Sequence, residues 1–373
     1  MKVLIFPTDD RLGQASLIDH YTRTGHEVYI PAHGTLGLEW SRIAQWPALL
    51  CKDPSGRRNL DLYSLKGEPQ FGEDLFVKFQ DIKSDLERLP TVRICSEEEA
   101  NDTRFDMYHT LRGAENYLIH YENLIKKMKN PNAKWVSSTM NHYDFFPAKM
   151  TPRNAAKIVP AIYEKHSHHI NSFNIICTDI EFDLLGLSRN EVEREKIAAS
   201  FNHNFRERQP EEYKIFEKMN GLLRSRGISE VKNYGGNIRK MGADIRYSEN
   251  GPTGTFTTLT PLDALKKIKT LKCIVHFKQT DWGGGVFFNA LHTITPIITT
   301  KSYVKNSNSS SYLIHDYNSL HVNSAEEAVE AIEYLLMKDE VFHRLSSGMK
   351  AMKNKLFDDT YWKNWSNFLD RLE

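Results

Sequence analysis

The first 31 residues read as a strand, a helix and a second strand, and a chain that begins this way has few folds open to it. Val3–Phe6 is a short apolar run and Gly13–Arg23 carries a helical pattern. Thr24-Gly25-His26 closes that helix with a glycine at its C-terminal side, and Glu27–Pro31 is the next strand. Units of this kind build parallel sheets. Further strands are expected at Leu75–Phe79, Thr91–Cys95, Trp135–Ser138 and Phe173–Cys177, with helices at Ala114–Lys129 and Pro152–His166. Residues 33–70 break the pattern. They carry Trp40, Arg42, Trp46, Lys52, Arg57 and Arg58 and read as a long functional loop or a small insertion.

After an acidic, polar stretch at 179–196 the alternation restarts. Ile197–Phe201 is a strand, Pro210–Arg226 a helix with proline in its first turn, and Glu230–Tyr234 a strand. Thr260–Thr270, Leu271–Phe277, Val286–His292 and Ile297–Thr299 continue as helix, strand, helix and strand, and Ala325–Met337 and Glu340–Lys353 are amphipathic helices. The chain therefore divides into two α/β domains, 1–178 and 197–355, with 179–196 as linker and 356–373 as a last aromatic helix. Such a pair is expected to face across a cleft and to bind its ligand there, at the carboxyl ends of the strands.

Composition supports this division. A chain of 373 residues holds two domains at roughly 100–200 residues each. No apolar stretch approaches the roughly 18 residues of a membrane span, and the short N-terminal run stops at Thr8-Asp9-Asp10, so a cytoplasmic protein without a signal peptide is expected. The 49 basic and 48 acidic side chains leave no overall field to gather polyanions. Cys51, Cys95, Cys177 and Cys273 form no paired motif, which argues against a disulfide framework or a zinc site. His166, His168 and His169 lack a completing carboxylate, so no metal site is assigned. Walker, dinucleotide and nucleophile-elbow motifs are all missing.

The most informative segment is His276-Phe-Lys278-Gln-Thr-Asp281-Trp282-Gly283-Gly284-Gly285-Val-Phe-Phe-Asn289-Ala-Leu-His292. A strand runs into a polar loop, three glycines follow, and a helix starts. Glycines let backbone approach a ligand closely, and the free N–H groups of a helix start favour an anion. Asp281 can accept hydrogen bonds from hydroxyls, and Asn289 lies one turn into the helix.

This segment resembles the donor site of retaining glycosyltransferases of the GT-B fold. There, two acidic residues separated by seven others precede a proline that starts the next strand. Asp281 and Asn289 have that separation, and Pro296-Ile-Ile-Thr299 stands in the expected place. Tyr312 to Val322 and Ser324 to Leu336 resemble the loop, strand and helix that follow. The resemblance covers roughly 197–355, is weaker over 1–180 and is absent from 33–70. It implies an α/β fold of two Rossmann-like domains facing across a cleft, the C-terminal helix crossing back to the first. The activity it implies is transfer of a hexosyl or pentosyl unit from a nucleotide sugar to an acceptor hydroxyl, with retention. The nucleotide sugar is then a substrate; no cofactor and no obligatory metal is expected.

The same resemblance assigns residues. Asp281 stands where the family holds the sugar with Glu, one methylene longer; Asn289 stands where a Glu grips ribose, and keeps hydrogen bonding without charge. Lys278, Trp282, Gly283, Gly284 and Gly285 line the donor loop. His203 and Arg208 match the spacing of two family cations that hold the phosphates, with Arg206 as a further candidate. Arginine suits phosphate because its planar fork binds two oxygens at once. Gly13, in the loop after the first strand, would admit donor and acceptor, and His142 would sit near the transferred sugar.

The acceptor is a glycan, a lipid-linked intermediate or a small metabolite. Between Ile125 and Ile170 eight cations face only Asp144 and Glu164, a bias that raises a modified base in DNA as an alternative acceptor. Asn289 in place of an acid also leaves open a nucleotide- or sugar-binding protein without activity. Finally, Tyr361, Trp365 and Phe368 share one helical face, which is expected to be buried on the N-terminal domain.

Overall fold

The computed structural model describes residues 1–6, 11–31, 91–95, 97–111, 122–139, 154–157, 171–179, 193–202, 205–234, 261–279, 285–306 and 311–372. They divide into two compact units. One holds the described residues up to 179 together with 358–372, the other those from 193 to 357.

In the first unit β1 (Lys2–Phe6), β2 (Glu27–Pro31), β3 (Val92–Cys95), β4 (Met107–Leu111), β5 (Lys134–Thr139), β6 (Asn154–Lys157) and β7 (Asn171–Asn174) form one sheet. Its order is β3-β2-β1-β4-β5-β6-β7, with every pairing parallel. The chain moves outward from β1 on one side and returns at β4 on the other, so strand order reverses between them. Val3, Leu4 and Phe6 are fully enclosed, as are Met107, Tyr108, His109 and Thr110. The helix α1 (Arg11–Arg23) follows β1, and α2 (Glu97–Asp102) follows β3.

The second unit carries β8 (Glu195–Ser200), β9 (Lys232–Asn233), β10 (Leu271–His276), β11 (Ile297–Thr300) and β12 (Ser319–Val322). The sheet is again parallel, in the order β12-β11-β10-β8-β9, with its reversal between β8 and β10. Its helices are α3 (Phe205–Arg208), α4 (Pro210–Ser225), α5 (Pro261–Thr270), α6 (Gly285–Thr293), α7 (Lys301–Asn306), α8 (Ala325–Met337) and α9 (Asp339–Leu356). Phe216, Met219 and Leu223 of α4 share one core with Val329, Ile332 and Leu335 of α8. Just before β8, Arg194 ties neighbouring elements together: it donates to the carbonyls of Leu271 and Thr293 and to Thr295 Oγ1.

The last helix, α10 (Asp359–Asp370), belongs to the first unit, as its aromatic face requires. Trp365 and Phe368 are fully buried, and Trp365 lies 5.2 Å from Phe173 and 5.3 Å from Tyr21, centroid to centroid. Tyr361 Oη accepts the Ile176 N–H at 2.8 Å and lies 2.6 Å from His20 Nε2.

Several local expectations are corrected. The helix expected over Pro152–His166 contains strand β6 instead: Asn154–Lys157 is paired on both sides, by β5 and β7, and that ladder overrides its helix-compatible composition. Strand β4, central in the sheet, was not expected at all, because His109 and Thr110 break its apolar pattern. Both are satisfied from a distance, His109 Nδ1 by Tyr21 Oη at 2.7 Å and Thr110 Oγ1 by Trp135 Nε1 at 3.0 Å. The seventh strand ends at Asn174, and buried Ile175, Ile176 and Cys177 follow it as irregular chain. Glu195 and Lys196, read as linker, open β8. Gly13 lies inside α1 and not in the loop before it. Residues 33–70, the strand expected at Leu75–Phe79 and Cys51 lie outside the described residues. Cys95, Cys177 and Cys273 are free and buried.

Candidate functional site

In the second unit β8 and β10 are neighbours, with Cys273 opposite Ala198 and Ile274 opposite Ala199. Their carboxyl ends flank the reversal of strand order, where the following loops diverge and leave a crevice. Beyond the last ladder pairs, side-chain amides continue the pairing. Asn202, 1% exposed, donates Nδ2 to the Phe277 carbonyl and to Ser200 Oγ, both at 3.2 Å. Its N–H donates to Asn233 Oδ1 at 2.9 Å, and Asn233 Nδ2 returns a bond to the Asn202 carbonyl at 3.0 Å. One buried asparagine thus holds the exits of β8, β9 and β10 in fixed relation.

The exit of β10 is also held from its other side. Thr299 Oγ1 donates to the His276 carbonyl at 2.6 Å and Thr300 Oγ1 to the Lys278 carbonyl at 3.2 Å. Thr300 Oγ1 in turn accepts the Tyr303 N–H that opens α7, and the Tyr303 ring packs edge-on against His276. Lys278, half-buried, is therefore fixed at its main chain where the glycine-rich segment begins.

At the far end of that segment α6 begins at Gly285, and its face toward the core carries Phe287, Phe288 and Leu291. Asn289, one turn in, is half-buried, and its Oδ1 is enclosed with no hydrogen-bond partner. An enclosed acceptor left unmatched costs about 1–3 kcal/mol, a cost that a hydroxyl or N–H donor on a ligand would remove.

Arg206 is exposed on α3, and Arg208 is the last residue of that helix, which follows β8 directly. The structure therefore brings the arginine segment and the segment of Lys278, Gly285 and Asn289 to the ends of adjacent strands. Asp281, Trp282, Gly283 and Gly284 lie outside the described residues, as do His142 and His203. Gly13, in α1 of the first unit, is not placed with this group.

Sequence reasoning missed three residues here, Gln209, Glu212 and Gln279. Gln209 caps no helix with its side chain; its Oε1 accepts the Gln279 N–H at 3.0 Å. Glu212 is 5% exposed in the first turn of α4, and burial holds its carboxyl above the ordinary carboxylate range, partly offset by hydrogen bonds from its own backbone N–H and the Gln279 side chain. The Glu two residues after a helix-starting proline was the available signal, but its burial depends on a loop about 70 residues away. Among the described residues, no group of His, Cys, Asp and Glu could hold a metal ion.

No known family model matches the sequence, and neither does any curated protein. Solved structures do. A glycosyltransferase from Rickettsia africae ESF-5 matches with a TM-score of 0.50 at 10% identity, over 99% of this chain and 98% of that one. A sucrose-phosphate synthase from Thermosynechococcus elongatus matches at 0.47 and 11% identity, over 99% and 98%. A mutant of S. aureus TarM in complex with Fondaparinux, alpha-GlcNAc-glycerol and UDP matches at 0.46 and 12%, over 71% of this chain; this chain spans about half of TarM, 55%. At such identities the likeness is one of fold. Two parallel-sheet units with a last helix returned to the first give this chain the GT-B fold of glycosyltransferases.

Proposed function

We propose that the protein transfers a sugar from a nucleotide-activated donor to an acceptor hydroxyl, and that the carboxyl end of the second unit's sheet holds the nucleotide. The observation that carries this reading is Asn289. It presents an enclosed, unmatched acceptor oxygen one turn into the helix that follows a glycine-rich segment, beside the exit of β8. A ribose hydroxyl supplies the missing donor. Half-buried Lys278 and the free N–H groups at the start of α6 favour the adjacent diphosphate. Arg206, Arg208 and His203 supply further positive groups.

In the reaction the bond between the anomeric carbon and the diphosphate oxygen breaks, and the acceptor oxygen takes its place as its proton leaves. Positive groups lower the barrier by stabilising charge as it develops on the departing diphosphate. Asp281 is assigned to the sugar and His142 to the reacting face. Retention of configuration, with a hexosyl or pentosyl unit transferred to a glycan, lipid-linked or small-molecule acceptor, completes the proposal. A DNA acceptor gains no support from the described cations of the basic stretch. Lys126 pairs with Glu122 at 2.9 Å and Lys129 donates to the Asp102 carbonyl at 2.8 Å, so both are engaged locally.

A screen of nucleotide-sugar donors read by mass spectrometry tests the activity. In the active pairing, Asn289→Ala is expected to raise the donor KM about tenfold while changing kcat little, because a ribose contact exists in ground and transition states alike. An unchanged KM with a large loss of kcat would remove Asn289 from the ribose.

A further inference from the structure

The glycine-rich segment is entered at Gln279, and this residue is held by a helix distant in sequence. Its N–H donates to Gln209 Oε1 at 3.0 Å, and its side chain donates to the Glu212 carboxylate. Gln209 stands directly before α4 and makes no capping bond of its own, so its side chain is committed to the loop and not to the helix. Glu212 is 5% exposed, and its Oε2 is enclosed without a partner. A carboxylate in the first turn of a helix is favourable in the field of the helix, which by itself would account for an exposed glutamate such as Glu211. It does not account for burial with one oxygen unmatched, since desolvating a carboxylate is unfavourable. The Asn202 bond to the Phe277 carbonyl fixes the same stretch two residues earlier.

We propose that Gln209 and Glu212 are positioning residues, which set the direction in which the chain leaves β10 and so place the glycine-rich segment against a nucleoside diphosphate. The proposal rests on the reading of this sheet end as the nucleotide site. It adds that the α4 start, which touches no residue assigned to the donor, governs affinity for it. Gln279 is itself exposed, so only two hydrogen bonds hold it in place. Losing either lets the loop entrance shift, and ordering it again on binding weakens affinity.

The test uses the full chain and isothermal titration with uridine, guanosine, adenosine and thymidine diphosphates, alongside thermal midpoints. Gln209→Ala and Glu212→Ala are each expected to weaken the bound diphosphate about tenfold, the scale of one or two neutral to charge-assisted hydrogen bonds. Glu212→Gln keeps an acceptor for Gln279 and is expected to recover most of the loss. If both alanine variants bind like the unmodified protein, or lose thermal stability alone, the positioning role is overturned while the nucleotide site stands. If the unmodified protein binds none of the four diphosphates, the site reading fails and this proposal falls with it.

Discussion

Two histidines of the first unit are enclosed with no countercharge, and their surroundings fix their protonation. His20 is fully buried; Nδ1 faces the Ser16 carbonyl at 2.5 Å and so carries the proton, leaving Nε2 to accept from Tyr361 Oη. Burial pushes its pKa down from 6.5 to about 4, outweighing the Ser16 hydrogen bond, which raises it. Burial likewise lowers His109 to about 3, with His20 nearby adding to the effect. For both, the folded value lies below the unfolded one, so the unfolded chain binds more protons as pH falls. Their contribution to stability is whole above pH 6.5 and declines as pH drops toward about 4. The loss approaches roughly 1.4 kcal/mol per pH unit for each histidine. Urea midpoints followed across that window check this, and a flat profile would refute it. Gly348 poses a steric question. A Cβ there would stand 2.0 Å from the Tyr317 carbonyl oxygen, and backbone faces backbone at that contact. Gly348→Ala is therefore expected to lower stability by about 1–3 kcal/mol, read as a fall in thermal midpoint.

Among elements, α10 shows how one helix is made indispensable to a unit assembled far from it in sequence. Its N-cap Asp358 accepts the Tyr361 N–H at 2.9 Å, and three residues of one face, Tyr361, Trp365 and Phe368, then meet Phe173 beside β7. On the rim, Arg23 stacks over Trp362 at 5.2 Å and pairs with Asp19 at 2.8 Å. Tyr361 Oη both serves His20 and accepts the Ile176 N–H, so Tyr361→Phe leaves two partly buried groups unmatched. A loss on the order of 1–3 kcal/mol is expected in denaturant unfolding. Removing the whole helix uncovers Tyr21, Phe173 and His20 together and is expected to leave a first unit that aggregates. A truncated chain with an unchanged unfolding midpoint would contradict this.

Across the whole molecule, both sheets reverse strand order once, between β1 and β4 and between β8 and β10, so each unit offers a crevice at its strand ends. Only in the second do the described residues gather polar groups there, from Asn202 and Asn233 to Lys278 and Asn289. The balance of 49 basic and 48 acidic side chains gives no long-range pull on a diphosphate, so charge stabilisation has to be local. Arg206, Arg208, His203, Lys278 and the start of α6 are sufficient for that task in the proposed reaction. Sugar transfer is therefore expected to continue at full rate in excess chelator. Activity that disappears with chelator and returns with a divalent cation would replace the side-chain account.

What local sequence encodes is whether a segment's own side chains want burial. The runs of β1, β10 and β11 are apolar and fully enclosed, and the α10 face of Tyr361, Trp365 and Phe368 announces its burial by spacing alone. The parallel α/β class, the two-fold recurrence of the pattern and the turn from β10 through glycines into α6 follow from such signals. Strand β4 hides His109 and Thr110, and β6 is Asn154-Ala-Ala-Lys157; neither carries a signal, because the groups that satisfy them lie on Tyr21, Trp135, β5 and β7. The candidate site divides in the same way. Glycines and Asn289 are visible along the chain, whereas the Asn202, Asn233 and Phe277 junction and the hold of Gln209 and Glu212 on Gln279 are not. Each of these bonds joins residues far apart in sequence. It forms only once the packed sheet has set which strand ends are neighbours, and no local preference records that choice.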